Sequence, residues 1–237
     1  MCGRFTQFNN LETIADRYGV ELPEGGLKPR YNAAPTQELP VIIVERGKRK
    51  LAMMRWGLIP PWAENIAIGS KMINARAETL AEKPSFRNAL KSRRCLVPAD
   101  GFYEWMPTGR GKQPMCISLK SQELFSLARL WKTWKSPVGE VIHSFTIITT
   151  EPNELMTPIH DRMPVILTAN ENDWLSDELF LRQHLSMLKP YPAQEMIAVP
   201  VSKLLKNVGL DMPELLDEGF VLPNEEYSPA RMNLLFD

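Results

Sequence analysis

The second residue of the chain is a cysteine, Cys2, following the initiator methionine. Methionine is removed when the next residue is small, and its removal would leave Cys2 with a free α-amine beside its own thiol. With reference pKa values near 7.7–8.0 for the amine and about 8.5 for the thiol, both groups are partly deprotonated near neutral pH. A 1,2-aminothiol condenses with an aldehyde to an imine. The thiol then adds to the imine carbon and closes a thiazolidine ring. That closure is intramolecular, so the thiol acts at a high effective concentration. The bland alternative is that Cys2 is simply a small residue after the start.

Glu104 lies in the run Gly101-Phe102-Tyr103-Glu104-Trp105. On a strand, alternate side chains share a face, so Phe102, Glu104 and Met106 point the same way. A carboxyl between two large apolar side chains is desolvated, which raises its pKa and suits it to general acid–base work. The same row could instead face solvent, or pair with an arginine for structure. His160 sits in the proline-flanked loop Met156-Thr157-Pro158-Ile159-His160-Asp161-Arg162-Met163-Pro164, where functional residues concentrate, although a surface histidine on a loop would read the same way. His143, in a strand pattern, and His184, on a helix, read as structural. Asn74 follows Ile73 and is either a turn maker or a buried amide in need of partners. Cys2, Asn74, Glu104 and His160 are therefore the candidate catalytic residues. Arg4, Arg76 and Arg162 each lie within two residues of one of them, and a guanidinium fork suits phosphate. Trp56 and Trp62 flank a proline-rich turn and could stack unpaired bases, although an aromatic near a turn is also a common core residue. The runs Arg46-Gly47-Lys48-Arg49-Lys50 and Lys91-Ser92-Arg93-Arg94 add local charge that a solvated face would explain equally well.

Mixed secondary structure must hold these positions. Leu11, Ile14, Ala15 and Tyr18 recur on one helical face, with Asn9 or Asn10 as cap and Gly19 as stop. Pro23 to Pro35 reads as irregular. Leu39–Glu45 and Arg49–Trp56 read as strands joined by a turn at Arg46-Gly47-Lys48. Pro84 opens a short helix through Arg93. Strands follow near 95–98, 101–106, 114–119, 124–131 and 141–149, with a turn at Thr108-Gly109-Arg110-Gly111. Pro164–Thr168 is another strand, Asp173–Leu188 a second long helix, Met196–Val201 a late strand, and Asn224 onward a loose tail. Strands joined by short turns favour a largely antiparallel sheet. No composition break marks a boundary, so residues 1–237 are expected to form one domain with 211–237 peripheral.

Composition sets the frame. The 237 residues are 44% hydrophobic and 24% charged, as in an ordinary globular protein. Lys plus Arg and Asp plus Glu are 28 each, so bulk charge gives no argument for nucleic acid and any such site must be local. Three cysteines with no C-x-x-C spacing exclude a disulfide framework and a zinc knuckle. A reducing cytoplasm fits that usage. The longest aliphatic run, Val41–Val44, is far short of the roughly 20 residues of a membrane span, and no secretory signal is evident. Cofactor and metal are both expected to be absent.

Taken together, Met1-Cys2-Gly3-Arg4-Phe5, Tyr31-Asn32-Ala33-Ala34-Pro35-Thr36, Arg55–Trp62, Asn74-Ala75-Arg76-Ala77-Glu78-Thr79, Arg93–Trp105 and Pro158–Pro164 resemble the SRAP family (SOS response-associated peptidase-like, or abasic-site processing proteins). The resemblance spans roughly residues 1 to 210. It implies an α+β fold with a curved, barrel-like, mostly antiparallel sheet arrangement flanked by helices, and a groove for single-stranded DNA. It also implies that Cys2, freed of Met1, traps the ring-opened aldehyde of an abasic site as a thiazolidine, shielding the lesion in DNA damage. Asn74 would hold the reacting end, while Glu104 and His160 move protons, and the crosslink can be reversible with lyase-like character. The expected partner is abasic single-stranded DNA, met by a monomer in the cytoplasm at the nucleoid. The alternatives are a thiol autopeptidase using Cys2 and His160, or a non-catalytic binder of single-stranded or modified DNA. An amidotransferase with an N-terminal cysteine is disfavoured, because no Asn-Gly dipeptide for its oxyanion occurs.

Overall fold

The structure is a computed structural model and describes residues 2–8 and 11–222. The expected asparagine cap of the first helix and the tail from Asn224 lie outside the described residues. The strands are β1 (Arg4–Gln7), β2 (Arg30–Ala33), β3 (Glu38–Glu45), β4 (Lys48–Trp56), β5 (Asn74–Arg76), β6 (Arg94–Ala99), β7 (Gly101–Thr108), β8 (Gly111–Leu119), β9 (Phe125–Lys135), β10 (Val141–Thr150), β11 (Met163–Pro164), β12 (Ile166–Leu167) and β13 (Met196–Pro200). The helices are α1 (Leu11–Tyr18), α2 (Arg87–Ser92), α3 (Glu171–Leu175) and α4 (Leu181–Ser186).

The β-branched run Val41-Ile42-Ile43-Val44 builds β3, and a two-residue turn returns the chain as β4. Arg46 and Gly47 both have positive φ there, 52° and 74°, the geometry whose twist matches a hairpin. From β4 the sheet closes on itself. β10 pairs with β4 in parallel and with β9 antiparallel, while β4–β3, β3–β6 and β6–β9 pair antiparallel. These strands form a closed barrel. A second, wholly antiparallel sheet runs β13-β8-β7-β1-β2.

Strand alternation divides the core in two. Val41, Ile43, Met54, Cys95, Val97, Phe145 and Ile147 share a cluster with Phe5, Phe102 and Ile117 of the second sheet. Their neighbours Ile42, Leu96, Ala128, Leu130 and Ile148 face the other way, onto Ile14 and Tyr18 of α1, Leu90 of α2 and Trp174 of α3. Helices thus cover the barrel's outside, and its interior is continuous with the inner face of the second sheet.

The α+β, mostly antiparallel, barrel-like architecture is as expected from the sequence, with four departures. β2 lies within the stretch expected to be irregular. The pairings of β10 with β4 and β5 are parallel. The strand expected at Pro164–Thr168 is two short pieces, because Val165 crosses over: β11 pairs with β10 and β12 with β9.

The fourth departure is the long helix expected over Asp173–Leu188, which is broken into α3 and α4. The buried Arg94 explains the break. Its Nε donates to the Trp174 carbonyl at 2.7 Å and an Nη to the Ser176 carbonyl at 2.9 Å, and it pairs with Asp177. Carbonyls that would accept the next helical turn are captured, and Ser176 is extended at ψ 131°.

Nor is the chain peripheral at residue 211. The Asp211 carboxylate accepts the Tyr31 and Asn32 amides at 2.6 and 2.9 Å and Arg30 Nε at 2.6 Å, and Leu215 is fully buried.

Candidate functional site

Four separate elements deliver the four candidate catalytic residues to one place. Cys2 leads into β1, whose register against β7 pairs Arg4 with Tyr103. One step further along that ladder lies Glu104, beside residues 2 and 3. Asn74 opens β5, opposite Ile147 of β10. Its Nδ2 donates to the Cys2 carbonyl at 2.9 Å, while its buried Oδ1 has no partner. His160 comes from the loop between β10 and β11, and its Nε2 lies 4.0 Å from Glu104 Oε2.

Glu104 is 3% exposed. Phe102 and Met106 join the barrel-side cluster, whereas Tyr103 and Trp105 join the other face, so the carboxyl points inward and not to solvent. Burial raises its pKa above the ordinary carboxylate value, against the opposing charge of His160. Cys2 is fully buried, and its thiol lies 3.8 Å from the Arg4 carbonyl. Burial, with Glu104's charge adding, pushes that thiol up to about 12, and Arg129 pulls it back. At His160, the Arg162 amide lies 3.0 Å from Nδ1, while Nε2 faces Glu104. Asp161 Oδ1 also lies 2.9 Å from Nδ1, so that side of the ring is held by its own loop.

Asn153 shapes the His160 loop, and nothing in the sequence marked it. It is buried, accepts the Met156 amide at 2.9 Å, and donates to the Tyr191 carbonyl at 2.7 Å. The His160 and Ile159 amides then both donate to the Met156 carbonyl at 2.8 Å. His143 and His184 are structural, as expected. His143 bonds to Thr133 Oγ1 and sits edge-on to Trp131, while the buried His184 bonds to the Ser176 carbonyl.

The residues expected to meet DNA divide sharply. Arg76 and Trp62 are exposed, with Trp62 at 62%. Arg4 is already engaged: it donates to Asn32 Oδ1 at 2.6 Å and to the Leu205 and Lys206 carbonyls at 2.8 and 3.3 Å. Arg162 makes a two-pronged pair with Glu78, 2.9 Å on each arm, and donates to the Thr149 carbonyl at 2.7 Å. That pair holds Glu78 below the usual carboxylate range. Trp56 is corrected outright. It is fully buried, its Nε1 donates to the Ile73 carbonyl at 3.0 Å, and it packs on Phe5 and Phe145, leaving no face for a base.

The arrangement gathers a buried thiol, an amide that tethers its backbone, a carboxyl inclined to hold its proton and an imidazole, groups whose chemistry suits a carbonyl substrate. The family model of SOS response associated peptidase (SRAP) matches residues 1–208. Abasic site processing protein YoqW of Bacillus subtilis (strain 168) is 50% identical over 222 residues, covering 92% of this chain and 99% of the relative. Abasic site processing protein HMCES of Gallus gallus is 33% identical, covering 82% of this chain and 68% of the relative. A crystal structure of a Bacteroides thetaiotaomicron protein superposes with a TM-score of 0.84 at 30% identity, covering 92% of this chain and all of the other. The chain belongs to the SRAP family.

Proposed function

We propose that this protein recognises abasic sites in single-stranded DNA and captures them covalently through Cys2 once Met1 is removed. The convergence of Cys2, Asn74, Glu104 and His160 is the observation that carries the reading, and the relatives' role in abasic site processing agrees with it. An abasic sugar is mostly a closed hemiacetal. Glu104 or His160 takes the proton of the anomeric hydroxyl and returns one to the ring oxygen, which frees the aldehyde. The Cys2 amine adds to that carbon, and one water leaves as the imine forms. The thiolate of Cys2 then adds to the imine carbon, the C–S bond forms, and the nitrogen takes a proton from Glu104 or His160. The balance is aldehyde plus aminothiol giving thiazolidine and one water. Reversal runs the same transfers backward.

Asn74 holds the Cys2 carbonyl, and its free Oδ1 can accept from a sugar hydroxyl. Arg76 and Trp62 meet the flanking phosphate and base. Arg4 and Arg162 act mainly as internal anchors, since their terminal nitrogens are already bonded to the protein. One copy suffices, and the protein works in the cytoplasm at the nucleoid without a cofactor.

The test is a denaturing gel with a single-stranded oligonucleotide carrying one abasic site. The expected result is a heat-stable shifted band, absent with Cys2→Ala and with a tetrahydrofuran analogue that has no aldehyde. An undiminished shift with Cys2→Ala overturns the nucleophile assignment. Shift-free binding that Cys2→Ala leaves unchanged points to a non-catalytic binder, and cleavage of a supplied peptide points to a thiol peptidase.

A further inference from the structure

Arg129 occupies the middle of β9, inside the barrel. It stands opposite Cys95 of β6 on one side and Ile147 of β10 on the other, and Ile147 stands opposite Asn74 of β5. Opposed residues of paired strands share a face. Cys95, Arg129, Ile147 and Asn74 therefore form one row across the interior. Two strand spacings, roughly 9–10 Å, separate Arg129 from the residue that holds Cys2.

The guanidinium is fully buried, and none of its three nitrogens has a hydrogen-bond partner. It lies over three rings instead: Phe145 at 4.6 Å, Phe5 at 4.8 Å and Trp56 at 5.4 Å. Ring faces soften the loss of water but do not replace it. A methionine would fill the same aromatic cage without any desolvation. A charge kept here against that cost calls for an anionic counterpart. Of the ionisable groups in this part of the interior, Cys2 and Cys95 of β6 act on Arg129 directly, Glu104 of β7 acts on Cys2, and His160 of the β10–β11 loop acts on Glu104. The electrostatics agree: burial pushes Arg129 down to about 9, Cys2 and Cys95 hold it up, and Arg129 in turn counters the upward shift at Cys2.

We infer that Arg129 is a positioning residue for Cys2: its fixed charge in the aromatic cage favours the thiolate, the form that closes the ring. The last clause rests on the capture chemistry proposed above. The effect on the thiol does not.

The experiment therefore uses no DNA. Cys2 alkylation by iodoacetamide is followed against pH by peptide mass spectrometry in the wild type, Arg129→Met, Arg129→Gln and Arg129→Lys, with thermal unfolding measured in parallel. The neutral variants are expected to slow Cys2 alkylation at neutral pH by about tenfold and to move its pH profile upward, while Arg129→Lys restores most of the rate. Neutral variants with the wild-type rate and profile overturn the proposal, as does an effect confined to Cys95. So does a wild-type Cys2 that is never alkylated, or a fold that survives only with a charge at position 129. Wild-type crosslinking to the abasic oligonucleotide, run alongside, separates the two readings. Its absence with the alkylation effect intact removes the capture chemistry and leaves the role of Arg129 standing.

Discussion

Glu104 keeps its proton further up the pH scale than an exposed carboxylic acid, because Phe102, Met106 and the second sheet exclude water from it. Between the ordinary and the raised value, the native state holds a proton that the unfolded state has released. Stability therefore falls as pH rises through that window. Glu104→Gln escapes this loss. Its stability relative to wild type is expected to move in the variant's favour as pH rises above the ordinary carboxylate range, read by urea unfolding. Its crosslinking rate is expected to fall by about 10²-fold or more, the usual share of a general acid–base group. A variant whose relative stability does not change with pH would show that the raised pKa is absent. Cys2, Asn74, Glu104 and His160 could each be singled out by type and neighbours, each with a bland alternative; the resemblance to the SRAP family joined them, and the structure brings them together. Arg129 was not. An arginine in a strand reads as a solvent-facing residue, and only the register Cys95–Arg129–Ile147 reveals that it points inward. Trp56 failed for the converse reason: it flanks the segment with Pro60 and Pro61, which suggested a surface turn, but it ends β4 and the barrel closes over it.

Elements fail to follow local pattern where one buried side chain overrules them. The periodicity from Asp173 to Leu188 suits one helix, yet Arg94 takes the Trp174 and Ser176 carbonyls as well as those of Leu90 and Lys91. No window along residues 173–188 contains that information, since Arg94 lies some eighty residues earlier. Arg94→Met is expected to cost about 2–4 kcal/mol in urea unfolding, because several buried carbonyls lose their donor at once. A loss below about 0.5 kcal/mol would mean that the break has another cause. The His160 loop has a similar distant anchor in the Arg162–Glu78 pair. If that pair sets the loop, Glu78→Gln should slow crosslinking and leave DNA affinity unchanged. If Arg162 is instead a phosphate ligand, the same substitution frees it and tightens binding, which fluorescence anisotropy with undamaged single-stranded DNA would show.

On the scale of the whole molecule, the barrel and the second sheet meet at the site. Cys2 and Glu104 enter from one, Asn74 and His160 from the strands and loop of the other. Short hairpins were readable from turn residues and alternation. Barrel closure through the parallel β4–β10 pairing was not, because nothing local links strands nearly ninety residues apart. The C-terminal segment was likewise invisible: Arg4, Asn32 and Asp211 clasp residues 205–211 to the strand that follows Cys2 and to its neighbour, through polar contacts with no sequence period. Zero net charge means that DNA attraction is local. Arg76→Ala should flatten the salt dependence of single-stranded DNA binding by about 0.7 in log–log slope, the contribution of one phosphate contact. An unchanged slope would move the groove elsewhere. The central claim is that an aminothiol at Cys2 forms the bond. It is tested most directly by digesting the crosslinked complex with protease and nuclease and weighing the N-terminal peptide. The account expects a peptide that begins at Cys2 and carries the deoxyribose with the loss of one water, its mass unchanged by borohydride. An adduct on a lysine, a peptide that retains Met1, or a borohydride-reducible imine would contradict it.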